Sequence, residues 1–178
     1  MRYTLPVLGL ILFIPMNAIA QDPHMKDHPS QVAIPRSVQE EHRELHSELE
    51  LAMQRKDAIG AAARELAKVL HPHFVREEQI ALPPLGALRA LVTGHRPGDA
   101  ESLLAMTDSL ERELPAMLEE HKAIAAAVDK LRTAALSARS EQWARFAHQL
   151  SLHAQAEEEV YYPAAVLVGQ VLRHDRQR

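Results

Sequence analysis

The chain has 178 residues, enough for one domain with its own hydrophobic core. Its formal charge is −4 and its basic residues are dispersed among acidic ones, which excludes a basic nucleic-acid-binding surface. It has no cysteine, which excludes disulfides, thiolate zinc sites, iron–sulfur clusters and thiol catalysis, so any bound metal must have nitrogen and oxygen ligands.

Residues 1–20 have the features of a secretory signal peptide. A basic residue precedes a short apolar run, and Ala18 and Ala20 lie at the −3 and −1 positions of a cut before Gln21. A permanent membrane anchor is the weaker alternative, because a span needs roughly 20 apolar residues. We therefore expect a periplasmic or secreted protein with no stable membrane insertion after cleavage, beginning with a flexible leader over residues 21–35.

Residues 36–173 are predicted to form one all-α domain. The apolar side chains are mostly aliphatic, since aromatic residues make up only 4% of the chain, and no segment alternates like a strand. Two short turns and one longer crossover between long amphipathic helices indicate an antiparallel up-down four-helix bundle with a short extra C-terminal helix. The predicted helices run from Ser37 to about Lys56, from about Ile59 to Leu82, from an N-cap at Asp99 to about Ala135, from the turn after Ser137 to Pro163, and from Ala164 to Leu172.

Local signals refine these boundaries. Ser37 and Glu40 have the spacing of a capping box, in which each satisfies the other's free backbone amide. Pro83 is expected to end or kink the second helix, and Pro115 to bend the third.

One eleven-residue pattern occurs twice. The segments His73–Pro83 and His153–Pro163 each contain a histidine, two glutamates four and five residues later, and a proline at the end. In a helix, the histidine and the first glutamate project from the same face and can reach one ion. Because Glu41-His42 also matches Glu120-His121, the chain is predicted to be a doubled helical hairpin.

The register of the hairpins brings the two halves together. Residues at one level of an antiparallel hairpin are equidistant from its turn; the midpoint between His42 and His73 falls in the first predicted turn, and that between His121 and His153 falls at Ser137. The side chains expected to converge inside the bundle are therefore His42, His73, Glu77, His121, His153 and Glu157.

Six such ligands suit iron, manganese or zinc better than calcium or magnesium. The approximate twofold relation between the hairpins indicates two ions bridged by the two glutamates. A single histidine or glutamate pair of this kind is usually a hydrogen-bonded core residue or a solvated face, but six matched residues would be costly to bury unpaired.

Taken in order, these motifs resemble the hemerythrin-like, HHE cation-binding family. They are Glu-His, then His-Phe-x-x-Glu-Glu with a following proline, a second Glu-His, and His-x-x-x-Glu-Glu with a following Tyr-Pro, and they cover about residues 36–165. The resemblance implies an up-down four-helix bundle with two iron ions, bridged by Glu77, Glu157 and an oxo or hydroxo group. The terminal imidazoles would be those of His42, His73, His121 and His153.

One position departs from the oxygen carriers of that family. They have a fifth histidine one turn after the first on the third helix, where this chain has Ala125. The equivalent position on the first helix is His46, which is a candidate fifth ligand; the alternative is a boundary histidine bonded to a nearby acid or to water. Without His46, the centre has an additional open position, or a third carboxylate from Glu78 or Glu158.

Tyr161 and Tyr162 follow Glu157. They are predicted to pack near a bundle end with wet hydroxyls, with hydrogen bonds to the metal ligands as the alternative.

The leading functional hypothesis is an exported non-haem di-iron protein that binds dioxygen or a related diatomic such as nitric oxide. An oxidoreductase or an iron-handling protein active under oxidative or nitrosative stress is the alternative, and a structural zinc site is a third. No nucleophile–base pair or phosphate loop is present in the sequence. The sequence leaves the oligomeric state and the choice between carrier and enzyme open.

Overall fold

The computed structural model describes residues 33–176 of the chain. The predicted signal peptide and most of the predicted leader lie outside these residues. Within the described part every regular element is helical, so the prediction of an all-α protein without strands is confirmed there. The helices are α1 (Arg36–Met53), α2 (Ala58–Ile80), α3 (Leu88–Val92), α4 (Ala100–Ser137), α5 (Glu141–Ala156) and α6 (Tyr162–Arg176).

Two further helical turns differ from an α-helix: one is wound more tightly and the other more widely. A 3₁₀ turn, Pro83–Ala87, precedes α3, and a π-helical turn, Glu157–Tyr161, joins α5 to α6. Among residues 33–176, no helix combines the length and the apolar character needed to cross a bilayer.

The long helices pack through one main core. Helix α2 packs against α1 and α4, and α5 packs against α4 and α1. The main cluster of buried apolar side chains draws on all four of these helices, with Leu49, Leu66, Leu131 and Phe146 fully buried. Helix α6 packs against α4 and against the 3₁₀ turn, beside a second cluster that includes Met117 and Tyr162.

Turns between helices lie at both of the positions predicted from the sequence. The first lies between Met53 and Ala58, where Asp57 caps α2 by accepting a hydrogen bond of 3.1 Å from the Gly60 amide. Gly60 is required there, because a Cβ atom would lie 2.0 Å from the Arg55 carbonyl oxygen. The second turn follows Ser137, where α4 ends.

The predicted capping box of α1 is wrong. Helix α1 begins at Arg36, with Pro35 at the N-cap position and no side-chain hydrogen bond to the free amides. Glu40 pairs instead with Arg43 one turn later. Because α1 begins at Arg36, Ser37 is its second residue and does not occupy the N-cap position.

The predicted end of the fourth helix at Pro163 is also wrong. The chain remains helical from α5 through the π-helical turn into α6, which runs to Arg176 instead of the predicted Ala164–Leu172. Pro163 is the second residue of α6 and directly follows the wider turn, so its missing amide hydrogen falls where the helical hydrogen-bond pattern already changes. The break expected at the proline is replaced by the wider turn before it.

Candidate metal centre

Six polar side chains lie in the interior between the four long helices. None of them is more than 3% exposed, although all are titratable. They come from α1, α2, α4 and α5 and from the first residue of the π-helical turn: His42, His73, Glu77, His121, His153 and Glu157. The sequence-predicted cluster is therefore assembled in the structure.

The six residues form two overlapping groups that share both glutamates. One group contains His42 and His153, and the other contains His73 and His121; within each group, the candidate ligand atoms all lie within 4.8 Å of one another. Each histidine pair therefore joins the first half of the chain to the second. The hairpin register predicts a common level for the four histidines but does not predict this pairing.

Glu77 and Glu157 each direct one oxygen to each histidine pair. Glu77 Oε1 lies 3.4 Å from His73 Nε2, while its Oε2 lies 3.9 Å from His42 Nε2. Glu157 Oε1 lies 3.5 Å from His42 Nε2, while its Oε2 lies 3.5 Å from His121 Nε2. A carboxylate whose two oxygens face different positions can bridge two cations, and its negative charge offsets the repulsion between them.

The imidazoles meet through the nitrogen atoms that would bind metal. His73 Nε2 and His121 Nε2 lie 2.8 Å apart, and their Nδ1 atoms lie 2.7 Å from Glu120 Oε2 and 2.8 Å from Glu158 Oε1, respectively. In a neutral imidazole, an Nδ1 that faces a carboxylate carries the hydrogen, which leaves the Nε2 lone pair directed into the centre. This is the tautomer that a metal requires.

Four outer glutamates, Glu41, Glu78, Glu120 and Glu158, surround the imidazoles. Each is roughly half exposed and lies nearest the Nδ1 atom of a histidine on a neighbouring helix. The two remaining distances are 3.6 Å from His42 Nδ1 to Glu78 and 3.2 Å from His153 Nδ1 to Glu41.

The outer glutamates close a ring around the centre. The histidine of α1 faces a glutamate of α2, that of α2 faces α4, that of α4 faces the turn after α5, and that of α5 faces α1. The second acid of each Glu-Glu pair and the acid of each Glu-His pair occupy this ring. Glu78 and Glu158, considered as third carboxylate ligands, belong to neither ligand group.

Two buried oxygen atoms provide a test of whether a cation fits. Glu77 Oε2 and Glu157 Oε1 have no hydrogen-bond donor among the described residues; His153 Nε2 approaches Glu157 Oε1 to 2.8 Å, but without hydrogen-bond geometry. Both oxygens face the His42/His153 position. Leaving such atoms unpaired in a protein interior is costly, so the donor set fits a metal ion there.

Protons and a metal ion compete for this centre. Burial opposes a charge on His73, but the nearby Glu77 carboxylate and the hydrogen bond to Glu120 outweigh it and raise its pKa to about 9. Burial likewise opposes protonation of His121 and His153, yet the nearby Glu157 carboxylate raises the pKa of both imidazoles. These shifts reflect a negative potential that attracts either protons or a cation.

The two bridging glutamates differ in acidity. Burial raises the pKa of Glu77, with the nearby charge of Glu157 adding to the effect. Burial also acts on Glu157, but the adjacent imidazoles of His121, His153 and His42 outweigh it and hold the Glu157 pKa well below its usual value. Glu157 is thus the more firmly ionised of the pair.

His46, the candidate fifth ligand, belongs to neither ligand group. Its ring stacks on His71 with centroids 5.4 Å apart and meets the edge of Phe74 at 4.7 Å. Burial, together with the neighbouring His71, lowers the pKa of His46. Ala125, at the position of the missing fifth histidine, is exposed on α4.

Tyr162 belongs to the centre, which the sequence analysis considered only as an alternative to packing. Its side chain is 1% exposed, and its hydroxyl donates a hydrogen bond of 2.5 Å to Glu77 Oε1. A residue five positions after Glu157 in an α-helix lies about 140° around the helix from it, so regular spacing places Tyr162 off the ligand face. Burial is the main effect that raises its phenol pKa, so the hydroxyl keeps its proton beside Glu77.

Comparison with known proteins identifies no relative: no model of a protein family, no characterised protein and no solved structure matches the chain. The resemblance to hemerythrin-like proteins therefore rests on this chain's own residues. The helical fold and the buried histidine–glutamate cluster are consistent with it.

Proposed function

We propose that the chain is an exported hemerythrin-like protein in which the four long helices form an antiparallel bundle around two iron ions. It binds dioxygen or a related diatomic such as nitric oxide, for sensing, storage or scavenging. One observation carries the proposal: the two carboxylate oxygens of Glu77 face different histidine pairs, and so do those of Glu157. A single-ion site would not need two shared carboxylates.

The six residues would form two metal-binding positions. His42 and His153 would hold one ion, His73 and His121 the other, and the two glutamates would bridge them. Iron bound there would supply binding of a diatomic molecule, or electron transfer to it. The mixed imidazole and carboxylate donor set suits iron, manganese or zinc, and the order of the motifs favours iron among them.

The surroundings of the centre support a dry binding site. The Phe74 ring lies 4.5 Å from the His42 ring and 5.8 Å from the His153 ring, measured between centroids. Leu49, Leu70 and Leu150, all buried, belong to the same apolar cluster as Phe74. Apolar side chains of this kind exclude water from the metal and strengthen the electrostatic interactions inside.

Export to the periplasm or the medium is supported by the sequence of residues 1–20, with a basic start, a short apolar run and Ala-x-Ala before Gln21.

The position of His46 favours a second candidate, an oxidoreductase or iron-handling protein with the same centre. With His46 outside both groups, fewer coordination positions are filled by imidazole, and open positions favour redox chemistry over reversible binding. The fifth-ligand role of His46 remains a prediction.

The test is metal analysis and an optical spectrum of the protein expressed in iron-replete medium. We expect two iron ions per chain and the near-ultraviolet bands of bridged ferric ions. An oxygenated spectrum that disappears under vacuum would identify a carrier, whereas steady release of peroxide or another product would identify the redox candidate. Stoichiometric zinc without those bands would overturn both iron proposals in favour of a structural site.

Variants assign the ligands. Glu157→Ala should lose both ions, because both groups share this residue. His46→Ala should keep both ions and their spectrum, because His46 contacts Phe74 and His71 rather than the bridging glutamates. A His46→Ala protein that keeps its iron but loses the oxygenated spectrum would place His46 at the metal. His148→Ala, which removes an exposed histidine of α5, is the matched control.

A further inference from the structure

Tyr162 reaches the centre because of the π-helical turn. The Tyr162 amide donates its hydrogen bond to the Glu157 carbonyl, five residues back, which closes the wide turn over Glu157–Tyr161. A turn closed in this way brings residue i+5 towards the same side of the helix as residue i, and such turns are frequent at functional sites. Glu157 and Tyr162 therefore both enter the interior from one helix.

The Tyr162 hydroxyl lies close to three proposed ligand atoms, and its distances to the two imidazole nitrogens are those expected between neighbouring ligands of one ion. It is 3.2 Å from His121 Nε2, 3.4 Å from His73 Nε2 and 2.5 Å from Glu77 Oε1. Bonds of about 2.1 Å at angles of about 90° to 109° separate adjacent donor atoms by about 3.0 to 3.4 Å. The two distances to imidazole nitrogens thus fit an oxygen donor beside the His73/His121 group, while the shorter distance to Glu77 Oε1 is that of the hydrogen bond made by the phenol proton.

The ring of Tyr162 is held in this place. It lies nearly parallel to the His121 ring, with centroids 5.6 Å apart and 27° between the planes, and it is 1% exposed. A buried aromatic ring with fixed neighbours has little freedom to withdraw its hydroxyl when an ion binds.

The equivalent position in the first half of the chain bears an apolar side chain. Leu82 stands five residues after Glu77, as Tyr162 stands five residues after Glu157. Its amide also donates to the carbonyl five residues back, at 3.0 Å, and its side chain is fully buried. Both halves thus have a backbone hydrogen bond that spans five residues, but α2 ends there whereas the second half continues through the π-helical turn into α6. The equivalent side chain carries an oxygen atom only in the second half.

We propose that Tyr162 is a fifth ligand, through its hydroxyl oxygen, to the ion between His73 and His121, so that the two positions have different donor sets. On binding, the oxygen forms a bond to the metal and its proton is released to solvent. The His73/His121 position then has two nitrogen and three oxygen donors, while the His42/His153 position has two of each and the more open coordination. The inference rests on the proposed iron centre.

The test uses the full protein loaded with ferric iron. We expect a visible charge-transfer band from phenolate to iron, and phenolate vibrations that are enhanced in the Raman spectrum excited within that band. Tyr162→Phe should abolish both signals and weaken the binding of one of the two ions by roughly 10-fold or more, since even the outer partners of metal ligands contribute about 10- to 100-fold.

The matched control is Tyr161→Phe, which removes the neighbouring, partly exposed phenol beside Glu41 and should keep the band. Two bound iron ions with no phenolate signal in the unmodified protein would overturn this inference and leave the proposed function standing. The same conclusion follows if Tyr162→Phe keeps the complete spectrum. A protein that binds no iron at all overturns both proposals.

Discussion

At the scale of single residues, four outer glutamates surround the buried cluster in addition to its own two glutamates, Glu77 and Glu157. Each half-exposed glutamate accepts from, or lies close to, the outer nitrogen of one buried imidazole, and each stands next in sequence to a proposed ligand. A carboxylate in this position orients the ring and makes its inner nitrogen a better donor. Each outer glutamate thus stands beside one proposed metal ligand in sequence and beside the imidazole of another in space.

Glu120→Gln tests this role. The glutamine can still contact His73 Nδ1 but lacks the negative charge, so we expect metal affinity to fall about 10- to 100-fold while the fold is retained. Metal titration of the purified variant would measure the change. The control is Glu119→Gln, which alters an exposed partner of Lys122. Equal affinities for both variants would contradict a positioning role for Glu120.

At the scale of the elements, the close approach of α6 to α4 depends on Gly169. A Cβ atom there would lie 2.3 Å from Thr107 Oγ1 and 2.7 Å from Thr107 Cβ, in a fully buried contact. Helix α6 begins at Tyr162, so this contact also holds the helix that bears the phenol of the centre. Two helices can approach this closely only where one of them has a residue without a side chain at the contact.

Gly169→Ala should therefore destabilise the protein. Overpacking at this kind of site costs about 1–3 kcal/mol, because the neighbouring helix must shift to admit a methyl group. Denaturant unfolding of the metal-free protein would measure the loss. Gly98→Ala is the matched control, since a Cβ atom there has no neighbour within 4 Å. Equal midpoints for both variants would show that α4 and α6 can separate freely.

The π-helical turn is a second feature of this scale. Regular α-helical spacing predicts that the helix ends at Pro163 and that Tyr162 lies on a different face from Glu157. In the structure the helix continues, and the turn is the reason that Tyr162 reaches Glu77. The sequence signal was the Tyr-Pro pair after the second motif, but a proline is also compatible with a simple break.

At the scale of the whole molecule, the centre links folding to pH and to metal. The pKa of His73 rises from 6.5 to about 9 in the folded metal-free protein, and those of His121 and His153 also rise. A raised folded-state pKa stabilises the fold fully below the unfolded value, and this stabilisation is lost as pH rises through the folded value. A bound metal ion requires the unprotonated nitrogens, so its contribution changes in the opposite direction.

We therefore expect these histidines to make the metal-free protein less stable as pH rises from 6.5 to about 9. Over the same range, the additional stability conferred by bound metal should grow. Thermal unfolding at several pH values, with and without zinc as a redox-inert occupant, would measure both slopes. Replacing His73 by alanine should flatten the metal-free slope. Parallel slopes with and without metal would contradict a shared site for protons and metal.

Much of this protein is determined by its sequence alone. The all-α fold follows from apolar periodicity, and four of the six clustered residues follow from His-x-x-x-Glu spacing, because positions four apart share one face of a helix whatever its neighbours are. The matching Glu-His pairs add His42 and His121. The hairpin register adds that His42, His73, His121 and His153 lie near one level. These are properties of single helices and of their turns.

Only the tertiary structure decided which residues meet across helices. It paired His42 with His153 and His73 with His121, placed the outer glutamates on neighbouring imidazoles, left His46 against Phe74 and His71, and brought Tyr162 to Glu77. The physical reason is that such contacts depend on how helices pack and on one wide turn in the backbone. Sequence spacing describes the face of a helix, but not what that face will touch.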